Sequence, residues 1–143
     1  MKILRNNEYV LARQVLTLAN QILKSRNGHL KELHITAEQA DSLTFFYFHT
    51  DTSISDLKDH LHIRHQTARG IVKRLEEKGF LTLSVAASDG RCKTVSLTEK
   101  GIQIVERLKQ NGTHTGYRLL SGMTETEQEQ FSALIAKALK NME

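Results

Sequence analysis

The sequence predicts a mainly α-helical fold interrupted by one small β-hairpin, and three observations lead there. Apolar residues recur at three- and four-residue steps through most of the chain, a single stretch after Gly79 alternates with period two, and proline is absent altogether. With 143 residues there is room for one modest domain with its own core, not for two of ordinary size. The one cysteine, Cys92, rules out an intrachain disulfide. The first residues lack the apolar stretch of a signal peptide, and nowhere do 18 uncharged apolar residues run together, so a soluble, cytoplasmic protein is expected, without a membrane partner.

Tyr9 to Leu23 is the first helical stretch, with Leu11, Val15, Leu18 and Ile22 on one stripe and Gly28 as its expected C-terminal stop. Thr36-Ala37-Glu38-Gln39 has the form of a capping box and opens a second helix through Ala40, Leu43, Phe46 and Tyr47 to about His49. The run Phe45-Phe46-Tyr47-Phe48 also suits a strand, but cap and periodicity agree on helix over three turns. Ser53-Ile54-Ser55-Asp56 repeats the box and starts a short helix with Ile54, Leu57 and Leu61 inward. Only His62-Ile63-Arg64 separates it from a longer pattern, Ala68, Ile71, Val72 and Leu75, that ends at Gly79. Two helices joined by so tight a turn, the second with the longer amphipathic pattern, form a helix-turn-helix.

After Gly79 the period changes. Leu81, Leu83 and Val85 alternate with polar or small residues, Ser88-Asp89-Gly90-Arg91 reads as a turn, and Lys93, Val95 and Leu97 alternate with Cys92, Thr94 and Ser96. That hairpin is a wing beside the helix pair. Thr98 can cap a third long helix carrying Ile102, Val105 and Leu108, expected to weaken near Asn111-Gly112-Thr113. Thr124-Glu125-Thr126-Glu127 caps a last helix with Phe131, Leu134, Ile135 and Ala138 on its apolar face. The reading is thus a winged helix-turn-helix over 35–98, flanked by an N-terminal helix and linker over 1–34 and C-terminal helices over 99–143. The flanking helices carry more apolar surface than one small core requires. A symmetric dimer would bury it, and packing on the central module is the plainer alternative.

Charge places the working face. The formal excess is +4, and between Lys58 and Lys93 basic residues outnumber acidic ones by four, so this segment holds all of it. A surface that meets phosphates needs that concentration. On the helix after Arg64, the side opposite Ala68, Ile71, Val72 and Leu75 presents His65, Gln66, Arg69, Gly70 and Lys73. Gln66 and Arg69 suit base edges, and Thr67 and Lys73 the DNA backbone, with Arg64 and Arg74 adding charge. Gly70 either allows close approach to DNA or relieves a clash with a neighbouring helix. Arg91 at the hairpin tip suits the minor groove, with Asp89 supporting it.

Leu75-Glu76-Glu77-Lys78-Gly79-Phe80-Leu81, Asp89-Gly90-Arg91 and Val95-Ser96-Leu97-Thr98-Glu99-Lys100-Gly101 together resemble the MarR family of bacterial regulators. Ile35-Thr36-Ala37-Glu38-Gln39, the Ile54 to Arg74 pattern and Met123-Thr124-Glu125-Thr126-Glu127 fit in order and spacing, so the resemblance covers essentially the whole chain. It implies a homodimer on double-stranded DNA, recognition helices in successive major grooves of a two-fold symmetric operator, repression by occluding a promoter, and release by a small aromatic or phenolic effector. Activation uses the same contacts and stays open, as does a scaffold that has lost operator recognition, although the basic face argues against the latter. The chain departs from the family pattern at Arg64, where a serine often caps the recognition helix. Cys92 lies in the outgoing wing strand, away from the N-terminal cysteine of the family's peroxide sensors, so no redox role is expected.

No Gly-rich phosphate loop, Ser-centred elbow, His-Glu metal motif or carboxylate cluster supports an enzyme, and no cofactor is implied. Of the histidines, His60, His62 and His65 crowd the helix-turn-helix turn without the spacing of a zinc site, and His29, His34 and His114 lack a completing ligand. No metal is expected.

Overall fold

The computed structural model describes the backbone of residues 2–86 and 89–143, together with their side chains outside 2–6, 86 and 89–92. The elements run α1 (Lys2–Glu32), α2 (Ala37–Phe48), α3 (Ile54–Leu61), α4 (His65–Glu77), β1 (Leu81–Ala86), β2 (Asp89–Leu97), α5 (Glu99–Leu120) and α6 (Glu125–Asn141). They divide into two units, Met1–Asn111 and Gly112–Glu143, with the boundary inside α5. No helix among the described residues is long and apolar enough to cross a membrane.

In the first unit α1 runs straight through Gly28, where the sequence placed its end. A glycine inside a helix costs about 0.5–1 kcal/mol relative to alanine, and burial of Leu30, Leu33 and Ile35 just beyond it offsets that cost. The chain turns instead at His34, which adopts a left-handed φ of 57°. There the Ile35 amide donates to the Leu30 carbonyl and the His34 amide to the Lys31 carbonyl, the paired bonds that close a helix C-terminus.

The capping boxes predicted for α2 and α3 are both present, Thr36 with Gln39 and Ser53 with Asp56. The aromatic run is helical: Phe45 and Phe46 join the core, whereas Phe48 lies at the surface, 59% exposed. Leu57 of α3 and Ala68, Ile71, Val72 and Leu75 of α4 meet Leu43 and Phe46 in that core. The tight turn between α3 and α4 is closed by His62 in a left-handed conformation. At the other end of α4, Gly79 (φ 80°) repeats the device seen at His34, with Phe80 donating to Leu75 and Gly79 to Glu76.

β1 and β2 pair antiparallel with Leu81 opposite Leu97, Leu83 opposite Val95 and Val85 opposite Lys93; Leu81, Leu83, Val95 and Leu97 pack on the core, whereas Val85 lies exposed beyond it. The tip differs from expectation. Asp89, Gly90 and Arg91 belong to β2 and not to a turn. The partner of Ala86 is Asp89, while that of Val85 is Lys93, and this bulge takes Gly90 to Cys92 out of register. Ser88 lies outside the described residues, as do the side chains of Asp89, Arg91 and Cys92. The base of the wing is tied down twice: the Val95 amide donates to the Thr52 carbonyl, and Thr98 donates from its amide to Phe80 and from its hydroxyl to Gly79. Thr98 also caps α5 by accepting from the Gly101 amide. At Gly101 a side chain is impossible without movement, because a Cβ there would fall on the Phe80 carbonyl.

α5 continues through Asn111-Gly112-Thr113 without the expected break. Within the second unit, Gly122 (φ 82°) ends α5, and α6 opens with the predicted box of Thr124 and Glu127. Hydrogen bonds from the Thr124 amide and hydroxyl hold the Glu127 carboxylate below its ordinary pKa of 4.5. No residue of α6 is buried in the single chain.

Candidate nucleic-acid interface

The geometry of α4 follows from its sequence period. With Ala68, Ile71, Val72 and Leu75 in the core, Arg64, His65, Gln66, Thr67, Arg69, Gly70, Lys73 and Arg74 are all exposed on the far side. Arg64 stands at the N-cap and its side chain caps nothing, as expected where serine is replaced. The first turn of α4 therefore keeps free amides and the positive end of its dipole toward solvent.

Two grooves border this ridge. One, of about 600 Å³, runs between α4 and the wing and is lined by His65, Arg69 and Lys73, by Leu83 and Lys93 of the wing, and by Ser53 and Ser55 at the start of α3, with Glu76 as its one carboxylate among the described residues. The other, of about 450 Å³, lies between α4 and the first turn of α2 and is lined by Gln66, Thr67 and Arg74 on one side and by Glu38 on the other. The stripe of Gln66, Arg69 and Lys73 drawn from helical spacing is thus shared between two sides, with Gly70 lining both. A Cβ at Gly70 would meet nothing within 4 Å, so relief of a clash within the chain is not the reason for a glycine there.

Among the described residues no carboxylate pairs with Arg64, Arg69, Lys73 or Arg74, whereas Arg26 pairs with Asp41 and Lys58 with Asp59. Unneutralised cations along one ridge create the field that attracts a polyanion. Sequence reading missed Lys93 as a site residue. Strand alternation puts it on the face of Val95 and Leu97, and the pairing of that face opposite Leu83 and Val85 brings it into the wing-side groove. Arg91 and Asp89 are carried on β2, and their side chains lie outside the described residues.

The other predicted surfaces are apolar. On α1, Leu11 and Val15 are exposed and Leu18 and Ile22 partly so, and Tyr9, Val10 and Leu18 line a shallow groove along that helix. On α6, Leu134 (64% exposed), Ile135 and Ala138 are exposed and Phe131 is partly so. Among the described residues His49 and His60 pack together on one aromatic ring, each with its centroid 4.6 Å from that of Phe45. Among the described residues no three of His, Cys, Asp and Glu converge as metal ligands.

A MarR family model matches residues 35–91. The uncharacterized HTH-type transcriptional regulator YybA of Bacillus subtilis is 28% identical over 133 residues, 93% of this chain and 89% of that protein. The HTH-type transcriptional repressor IacR of Pseudomonas putida is 28% identical over 65% of this chain and 56% of its own. Among solved structures, MepR, a transcription regulator of the Staphylococcus aureus multidrug efflux pump MepA, aligns with a TM-score of 0.79 at 25% identity, covering 92% of this chain and 98% of that one. The MepR–DNA complex aligns at 0.72 and 26% identity over 91% and 96%.

Proposed function

Because the chain is a MarR-family winged helix-turn-helix protein, a non-catalytic DNA-binding transcription regulator, we propose that it acts as a homodimeric repressor on a two-fold symmetric operator and is released by a small aromatic effector. The observation that carries the DNA half of this reading is the ridge of α4, where Arg64, Arg69, Lys73 and Arg74 have no carboxylate partner among the described residues and the last three line the two flanking grooves. In this reading Gln66 and Arg69 meet base edges, His65, Thr67, Lys73, Arg74 and Arg64 position the DNA backbone, and Arg91, supported by Asp89, reaches the minor groove from the wing.

The dimer rests on uncovered apolar surface. Leu11, Val15, Leu18 and Ile22 of α1, and Phe131, Leu134, Ile135 and Ala138 of α6, would each be covered by the second copy, the two helices forming the N- and C-terminal dimerisation segments of 1–34 and 99–143 around the module of 35–98. Repression is favoured by the relative IacR, a repressor. For the effector, the Lys109 ammonium stands 5.4 Å from the Tyr47 ring centroid and 5.7 Å from that of Phe48. A cation beside two aromatic plates suits a ring that carries an acidic group.

The test is selection of duplexes from a random-sequence pool, followed by sedimentation of the complex and a promoter fusion carrying the selected site. A symmetric site holding two chains, silenced by the protein and reopened by a member of a panel of benzoic acids and phenols, is the expected result. Binding without sequence preference, or activation of the fusion, would overturn it.

A further inference from the structure

Lys78 ends the recognition helix, and its side chain does not join the DNA-facing ridge. Its ammonium donates to the carbonyl of His34, at 2.8 Å, and to Oε1 of Gln39, at 3.0 Å. His34 is the left-handed residue that closes α1, and Gln39 is the buried partner in the capping box that opens α2. The same Gln39 oxygen accepts from the Thr36 amide, so one atom serves both the cap and the brace. On its other side the Lys78 carbonyl accepts from Lys100 Nζ, which stands 5.3 Å from the Phe80 ring centroid. The last turn of α4 is therefore bound to the α1–α2 elbow and to the first turn of α5, beyond Leu75, the last residue of α4 in the core.

We infer that Lys78 is a positioning residue for DNA recognition: by bracing α4 against the elbow that closes α1, it sets the tilt of the recognition helix relative to the helix through which the two copies join. The inference rests on the dimeric operator reading above. The lever is long enough to matter. α4 has 13 residues, about 20 Å at 1.5 Å each, so a tilt of about 10° about the braced end shifts its first turn by about one base-pair step. A loosened brace should blur the separation at which two half-sites are read, whereas a lost phosphate contact would weaken every duplex alike.

The experiment uses the full-length protein and the duplex selected by the unaltered protein, with versions in which one base pair is added or removed between the half-sites. Lys78→Met keeps an unbranched stem and removes the ammonium. The expected result is a dimer with roughly tenfold weaker binding to the selected duplex, little remaining dependence on spacing, and an unchanged slope of affinity against salt. If Lys78→Met keeps the spacing profile of the unaltered protein, the brace does not set the tilt and the inference is overturned. It is overturned equally if the salt slope falls by about 0.9, the signature of one lost phosphate contact. Should Lys78→Met not fold, Lys78→Gln, which retains a shorter donor, enters the same comparison and should lose part of the spacing dependence. An unaltered protein that selects no symmetric two-chain site marks failure of the dimeric operator reading itself, and of this inference with it.

Discussion

Replacing Gly70 by alanine should move stability and DNA binding in opposite directions. In the free protein the added methyl meets nothing within 4 Å, and the helix gains about 0.5–1 kcal/mol from the removal of a glycine in its interior. For a chain of this size that corresponds to a rise in melting temperature of about 1–4 °C. In the complex the same methyl stands between Gln66 and Lys73 on the ridge, where overpacking costs about 1–3 kcal/mol, a roughly fivefold to hundredfold loss of affinity. The assay pairs thermal unfolding followed by circular dichroism with titration of a labelled selected duplex. Higher stability together with undiminished binding would refute the placement of this ridge against DNA. Gly101→Ala supplies the contrast. Its Cβ would collide with the Phe80 backbone, so it should lower the urea midpoint by an amount equivalent to at least about 1–3 kcal/mol.

Arg69→Ala should relax preference at one base pair per half-site, because a bidentate base contact is worth about 1–3 kcal/mol of discrimination; uniform weakening across an operator library would move Arg69 to the backbone contacts. Leu134→Asp should shift the protein toward monomer in sedimentation, since that side chain is uncovered in the single chain, and an intact dimer would count against α6 as an interface. The Glu127 carboxylate lies below its ordinary value of 4.5 in the folded chain, so its capping contribution is present above that pH and is lost as pH falls through the lowered folded value. Helicity measured down the acid limb should therefore fall less steeply in Glu127→Gln than in the unaltered protein.

What local chemistry alone specifies was legible from the residues. Each capping box needs only a hydroxyl and an acidic or amide side chain three residues apart, and Thr36, Ser53 and Thr124 all cap as their sequence context predicts. The buried face of α4 follows from a 3.6-residue period, and its basic outer face from the same period read in reverse. The unfilled cap at Arg64 follows as directly, from a side chain that cannot accept a hydrogen bond.

Tertiary structure decided the rest, because the relevant partners are far apart in the chain. Gly28 looked like a helix end, yet packing of Leu30, Leu33 and Ile35 outweighs its local cost, and α1 closes at His34, whose carbonyl is held by Lys78. Nothing in the sequence near Gly101 indicates why a glycine stands there; the reason is the Phe80 carbonyl pressed against it. A bulge between Val85 and Ala86 and their partners draws Asp89 and Arg91 into β2, a shift in pairing that strand alternation cannot announce. Period and caps, being local, can be read from neighbouring residues, whereas register, close approach and the true end of a helix depend on which distant residue arrives to satisfy a carbonyl or fill a space.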